Sequence, residues 1–142
     1  MPAITARASG QETGAGLRWW RAFPGEAGQL REVRRWIADL LPSCPARDDV
    51  TAVACELAAN AIRHTASGDH GQFSVLVTRE LATVIVAVAD EGAEGKPELA
   101  GHLLAEGGRG LLIVHALAPD VSVTGDASGR VVAAAVPWPS GN

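Results

Sequence analysis

The chain contains the stretch Glu56-Leu57-Ala58-Ala59-Asn60-Ala61-Ile62-Arg63-His64, which sets a carboxylate and a carboxamide four residues apart in an Ala-rich, apolar segment. At about 100° per residue in an α-helix, Glu56 and Asn60 share one face, and Arg63 and His64 flank them. Apolar residues fill the opposite arc, so the stretch predicts an amphipathic helix with a polar patch. Taken alone, such a patch is more typical of a solvated helix face than of a functional site.

Length, charge and cysteine content narrow the class of protein. A chain of 142 residues fits one domain. The formal net charge is −4 and the basic residues are scattered, which argues against a nucleic-acid partner. Cys44 and Cys55 form no CxxC pair, and together with four histidines they show no metal-ligand spacing. No signal peptide or membrane span is evident, so we expect a cytoplasmic protein without a membrane partner.

The order of the predicted elements indicates an α/β fold. Residues 1–16 lack apolar periodicity, so we expect a disordered leader before one folded domain at 17–137 and a tail at 138–142. Asp48 or Asp49 is a candidate N-cap for the helix that carries Asn60. We predict strands at 17–23, 72–79, 83–89, 121–124 and 130–136, helices at 26–41, 48–65 and 111–117, and a mobile lid at 93–106. Helices interleaved with antiparallel hairpins predict a two-layer α/β sandwich.

Two polar motifs predict chemistry suited to a nucleotide. Asn60 offers a carbonyl oxygen, which is a hard ligand for Mg²⁺, and Glu56 one turn away could take a proton from a hydroxyl or water. Asp90 ends a predicted strand and can accept a hydrogen bond from an exocyclic amine, while Gly92 allows the backbone to approach a flat base. These residue types together suit magnesium-bound adenine nucleotide.

A glycine-rich run supplies a third motif. Gly107, Gly108 and Gly110 precede or open a predicted helix, where free backbone amides and the helix dipole favour anions. Arg109 within the run can pair with a terminal phosphate. A dinucleotide-binding fingerprint is excluded, because a polar loop and not a strand precedes these glycines. Each motif alone is common, but their order along the chain is informative.

In that order the motifs resemble the GHKL ATPase and kinase superfamily, and within it the anti-sigma-factor-like serine kinases. Residues 56–64 resemble the branch's ELxxNAxxH box, residues 90–92 its DxG box and residues 106–111 its ExGRGL box. The resemblance extends over residues 18–137. It implies an ATP-binding sandwich with a mixed, mainly antiparallel sheet and helices on one face.

The resemblance also implies a role for each matching position. Glu56 would be the catalytic base, Arg109 would assist phosphoryl transfer, and Asn60 would bind Mg²⁺. The implied cofactor-binding residues are Asn60, Asp90, Gly92, Gly107, Gly108, Arg109, Gly110 and Leu111. The resemblance assigns no role to Arg63 or His64.

The resemblance further implies a function and partners. Its members phosphorylate a serine or threonine of an antagonist (anti-anti-sigma) protein with ATP and Mg²⁺, sequester a sigma factor when the antagonist is absent, and commonly form homodimers through their sheets. The final strand lacks the aromatic residue of many relatives, although Trp138 follows it. The alternative is a non-catalytic ATP-binding adaptor that holds a regulatory partner. Glu56 favours the enzyme, because a protein that only binds nucleotide needs no base.

Overall fold

The computed structural model describes residues 8–13, 16–64, 71–91, 109–126 and 128–139. Its elements in chain order are β1 (Ala8–Thr13), β2 (Gly16–Pro24), α1 (Gln29–Leu40), α2 (Pro45–His64), β3 (Gln72–Arg79), β4 (Thr83–Asp90), α3 (Arg109–Leu117), β5 (Asp120–Asp126) and β6 (Gly129–Pro137). The predicted two-layer α/β sandwich is confirmed.

The six described strands form one sheet in the order β1-β2-β3-β4-β6-β5. Every pairing among them is antiparallel. β4 pairs with β6, although α3 and β5 lie between them in the sequence. The sheet is therefore assembled from three hairpins, which are joined where β2 pairs with β3 across the two helices α1 and α2 and where β4 pairs with β6, and the described strands contain no parallel pair.

Side chains alternate between the two faces of the sheet along each strand, and one face is covered by helices while the other is not. Val75 of β3 lies opposite Val88 of β4, which in turn lies opposite Val132 of β6, and all three are buried. The helices cover this side: α1 contacts β2, α2 contacts β3, β4 and β6, and α3 contacts α2 and β6. The core thus lies between the sheet and one layer of helices, as period-two strands and amphipathic helices require.

The other face of the sheet carries an apolar row that crosses four strands in register. Trp20 of β2 pairs with Leu76 of β3, Leu76 with Ala87 of β4, and Ala87 with Ala133 of β6. Within the described parts of the chain, the helices all pack against the opposite face. We call this surface, Trp20, Leu76, Ala87 and Ala133 together with the neighbouring Ile85, the outer face.

The two long helices form an antiparallel pair. Arg47, near the start of α2, donates from its guanidinium to the carbonyl oxygens of Ala38 and Leu41 at the end of α1. Farther along α2, the Sγ of Cys55 lies 3.9 Å from the carbonyl oxygen of Leu30 at the start of α1. The second half of α2 therefore returns to the end of the sheet from which α1 departs.

Three sequence-based boundaries were wrong. Helix α2 begins at Pro45 and not at a cap formed by Asp48 or Asp49; proline suits a first helical position because its missing amide hydrogen would find no partner there. Residues 8–13 of the expected disordered leader form β1 against β2, since an edge strand is held by backbone pairing and needs no apolar periodicity.

The third wrong boundary is at the other end of the chain. Trp138, which was expected to belong to a tail, is buried in the core, and its backbone amide donates to the carbonyl of Ala82 over 2.9 Å. The guanidinium carbon of Arg79 lies 5.1 Å from the centre of its ring. The folded unit therefore extends past residue 137. None of the described helices is long and apolar enough to cross a membrane.

Candidate functional site

One end of the sheet brings the predicted site elements together. Antiparallel pairing aligns Pro24 at the end of β2 with Gln72 at the start of β3, and Ser74 of β3 with Ala89, the residue before Asp90. Helix α2 returns to this end, as its Cys55 contact with α1 shows, and stops at His64, shortly before β3 starts. The second half of α2 and the last residue of β4 therefore lie at the same end of the molecule.

Asn60 and Asp90 are both buried at this end. Their exposed fractions are 5% and 8%, and no other polar or charged residue is buried among those whose exposure the structure describes. Burying a polar group costs free energy unless it has hydrogen-bonding partners, so such residues are retained for a structural or functional reason. Asn60 comes from α2 and Asp90 from β4, so two different elements each place a buried polar side chain at this end of the sheet.

The structure agrees only in part with the helical-wheel prediction for the side chains of α2. Glu56 is half-buried and Arg63 is exposed, as expected for polar residues at the edge of the buried side of the helix. Asn60, by contrast, is buried, as are Leu57 and Ala61 of the same helix, and it does not lie on an open solvent face. The wheel gives the angle between two side chains but not which neighbouring elements cover them.

Cys55 precedes Glu56 in α2, and the pKa of its thiol reflects how buried this half of the helix is. Burial raises the pKa of Cys55 above its ordinary value of 9.0; the charge of Arg34 opposes the rise, and the charge of Glu56 adds to it. Glu56 itself is half-buried, one residue further along the helix.

Asp90 has a charged neighbour that the sequence motifs did not reveal. Arg130, the second residue of β6, is the register partner of Asp90, and its Nε lies 3.5 Å from Asp90 Oδ2. The side chains are 12% and 2% exposed, respectively. No local signal could have found this pair, because it depends on β4 pairing with β6.

The third motif lies at the start of α3. Arg109 is the first residue of this helix and Gly110 and Leu111 follow in its first turn, although their side chains are outside the described residues. Buried Val114 and Ala118 attach α3 to the core. Gly92, Gly107, Gly108 and the predicted lid at 93–106 also lie outside the described residues, so their predicted contacts remain predictions.

The chemistry of these residues fits a magnesium-bound adenine nucleotide. Asn60 provides the oxygen donor that Mg²⁺ prefers, and Asp90 provides an acceptor for an exocyclic amine. The start of α3 can provide backbone amides for phosphate. Among the described residues, no three His, Cys, Asp or Glu side chains cluster to hold a metal ion.

Comparison with known proteins gives a family and a fold. The family model described as histidine kinase-like ATPase domain matches residues 23–136. Among solved structures, the chain resembles the crystal structure of the RsbU and RsbW domains of Rv1364c from Mycobacterium tuberculosis, with a TM-score of 0.51 and 17% identity. The match covers 85% of this chain and 33% of that one, so the chain spans about a third of the length of that structure.

A search of curated protein sequences gives no match. The family model, however, extends from β2 to the end of β6 and includes both buried polar residues. The sandwich of helices on an antiparallel sheet agrees with it. The chain therefore belongs to the histidine kinase-like ATPase family.

Proposed function

We propose that this chain is an ATP-binding, anti-sigma-factor-like kinase. It transfers the γ-phosphate of ATP to a serine or threonine hydroxyl of an antagonist protein in the cytoplasm, and it sequesters a sigma factor when that antagonist is absent. The observation that carries the proposal is the burial of Asn60 and Asp90 at one end of the sheet, one from α2 and one from β4. Membership in the histidine kinase-like ATPase family supports nucleotide binding at this position.

The proposed reaction assigns one task to each residue. Asp90 accepts a hydrogen bond from the adenine amine, and the backbone amides at the start of α3 face the phosphates. Glu56 takes the proton from the attacking hydroxyl, whose oxygen forms a bond to the γ-phosphorus as the bond to the β–γ bridging oxygen breaks and ADP leaves. Arg109 offsets charge on the transferred group. Mg²⁺ bound through Asn60 would neutralise phosphate charge.

A phosphate-transfer assay tests the proposal. Protein with Mg²⁺ and γ-labelled ATP is incubated with co-encoded antagonist-type proteins, and label on serine or threonine is measured. We expect Glu56→Gln to lower turnover by roughly 10²- to 10⁴-fold while ATP affinity stays within about twofold, because a general base acts in transfer and not in binding. The matched control is Glu80→Gln. Glu80 lies in the turn between β3 and β4 at the opposite end of the sheet, and its variant should transfer phosphate normally.

The possible results separate kinase from adaptor. ATP binding without transfer to any antagonist would favour the non-catalytic adaptor. Unchanged turnover in Glu56→Gln would remove Glu56 from the reaction. Absence of ATP binding by the wild-type protein would refute both functions.

We also propose that two copies of this chain pair through the outer face. The register-aligned apolar row of Trp20, Leu76, Ala87 and Ala133 supports this, because it crosses four strands on the face that the described helices leave uncovered, and contiguous apolar surfaces often mark protein–protein contacts. Two such faces are self-complementary when related by a two-fold axis.

A further inference from the structure

Asp90, which is buried, forms an ion pair with Arg130, which is half-buried. The two residues are register partners on the antiparallel strands β4 and β6, so their side chains leave the sheet on the same face. Val88 and Val132, two residues away on each strand, are buried beneath the helices, so this face is the covered one. Arg130 therefore reaches the proposed base pocket from its sheet side.

Strand pairing fixes the position of Arg130. Gly125 of β5 lies opposite Arg130 with a φ of 104°, and a Cβ built on it would lie 2.1 Å from the carbonyl oxygen of Gly129. A side chain at residue 125 is thus excluded by the close backbone approach. This tight hairpin and the pairing with β4 hold the start of β6 from both sides, so Arg130 is presented to Asp90 by a constrained backbone.

The contact is an ion pair without a well-formed hydrogen bond. Arg130 Nε lies 3.5 Å from Asp90 Oδ2, and this buried Nε has no hydrogen-bond partner. A buried ion pair contributes little to stability compared with apolar residues of similar size. Stability alone is therefore a poor reason for a guanidinium in this place, and its charge must be considered for its effect on Asp90.

The charge of Arg130 decides what Asp90 can do for a ligand. A charged carboxylate only accepts hydrogen bonds, whereas a protonated carboxyl also donates one. Burial of a side chain that is 2% exposed favours the protonated form, and a guanidinium at ion-pair distance favours the charged form. A charged carboxylate favours a nucleobase that carries an amine at this position, and it repels a nucleobase that carries a carbonyl oxygen there.

We propose that Arg130 is a positioning residue that holds Asp90 as a charged, oriented acceptor and thereby sets the preference of the site for a purine with an amine at C6. The inference rests on the proposed nucleotide-binding function. It adds a residue from β6 to a site that the motifs built from α2, β4 and the start of α3.

A pair of ligands isolates this role. ATP carries the C6 amine, and purine riboside triphosphate carries hydrogen there but is otherwise the same. Binding of each with Mg²⁺ is measured by calorimetry. The wild-type protein should bind ATP about tenfold or more tightly than the analogue, as expected for a hydrogen bond to a charged group. Arg130→Met should reduce this ratio of the two affinities to about twofold or less, because it weakens the binding of ATP and leaves the binding of the analogue unchanged.

Two further variants separate positioning from general stability. Arg130→Lys keeps the charge and should retain most of the ratio. Arg79→Met is the matched control, because Arg79 is a half-buried strand arginine that lies over Trp138 at the opposite end of the sheet; its loss should leave the ratio unchanged. In an Asp90→Asn background, Arg130→Met should have no further effect on the ratio, since Arg130 acts through Asp90.

Circular dichroism establishes that each variant is folded, and Arg130→Gln replaces the methionine variant if that one unfolds. A folded, uncharged variant with the wild-type ratio would overturn the inference while ATP binding, and with it the proposed function, stands. A variant that weakens both ligands equally would show a structural role only and would also overturn it. If the wild-type protein binds neither ligand, the proposed function fails and this inference fails with it.

Discussion

Replacing Phe23 by alanine should destabilise the protein more than almost any other single change to the core. Phe23 is fully buried in β2, and its ring stacks on that of Phe73 with centroids 5.5 Å apart. The ring of Trp36 from α1 meets it edge-on at 5.8 Å. The residue therefore joins the sheet to the helix layer at the end where Asp90 lies.

The size of the loss follows from this burial. Deleting a buried phenylalanine side chain costs about 3–5 kcal/mol. An aromatic pair is worth roughly 0.5–1.5 kcal/mol beyond the buried area, so with two aromatic partners we expect Phe23→Ala to fall in the upper part of that range, at about 4–5 kcal/mol. Domains are stable by about 5–15 kcal/mol, so this one change removes a large share of that stability. Phe23→Leu keeps much of the apolar volume and should cost about 1–2 kcal/mol.

Equilibrium unfolding in urea, followed by circular dichroism, measures these losses. Tryptophan fluorescence, to which Trp36 beside the mutated site contributes together with the other three tryptophans, gives a second probe. The matched control is Leu81→Ala, because Leu81 is 82% exposed in the turn between β3 and β4, and its loss should change the free energy of unfolding by less than about 0.5 kcal/mol. A loss below about 1.5 kcal/mol for Phe23→Ala, with an unchanged denaturant slope, would refute the packing argument.

Three other predictions concern the nucleotide, the thiol and the outer face. Arg109→Ala should weaken ATP binding by about tenfold or more and ADP binding much less, because only ATP offers the terminal phosphate; equal losses in calorimetry would contradict the assigned contact. Burial raises the pKa of Cys55, so the folded state favours the neutral thiol. The contribution of this thiol to the free energy of unfolding is therefore complete below pH 9.0 and is lost as the pH rises through the higher folded pKa. Between about pH 8 and pH 10, the free energy of unfolding in urea should therefore fall more for wild type than for Cys55→Ala, by at most about 1.4 kcal/mol per pH unit. Equal falls would argue against the raised pKa, and the chain has no tyrosine whose titration would obscure the effect. Ile85→Lys should shift the proposed homodimer to monomer in sedimentation while Leu81→Lys leaves it unchanged, and a wild-type protein that sediments as a monomer at all concentrations would refute the pairing.

Local patterns were enough to predict most of the elements. Alternating apolar residues predicted β3 and β4, where Val75 and Val86 are buried, and helical spacing predicted α1, where Val33 and Ile37 are buried. These signals are strong because a half-buried strand or helix must repeat apolar residues at its own period. The motif around Asn60 drew attention to this residue, but the helical wheel placed it on an open polar face, whereas the structure buries it.

Features held by backbone pairing or by a single distant contact were not predictable. β1 carries no apolar pattern and forms because the unpaired edge of β2 offers it backbone partners. Trp138 follows the last strand and is buried by packing against Arg79 and the core, which no neighbouring residue signals. The start of α2 depended on Pro45, whereas the pattern drew attention to the later aspartates.

By itself the sequence determined the layered fold and singled out Glu56, Asn60 and Asp90 as candidates for a nucleotide site, since periodicity and motif spacing are properties of short segments. Only the tertiary structure decided that Asn60 is buried and that Arg130 lies 3.5 Å from Asp90. Burial depends on which elements cover a side chain, and the ion pair depends on β4 joining β6, a pairing between strands that are not neighbours in the sequence.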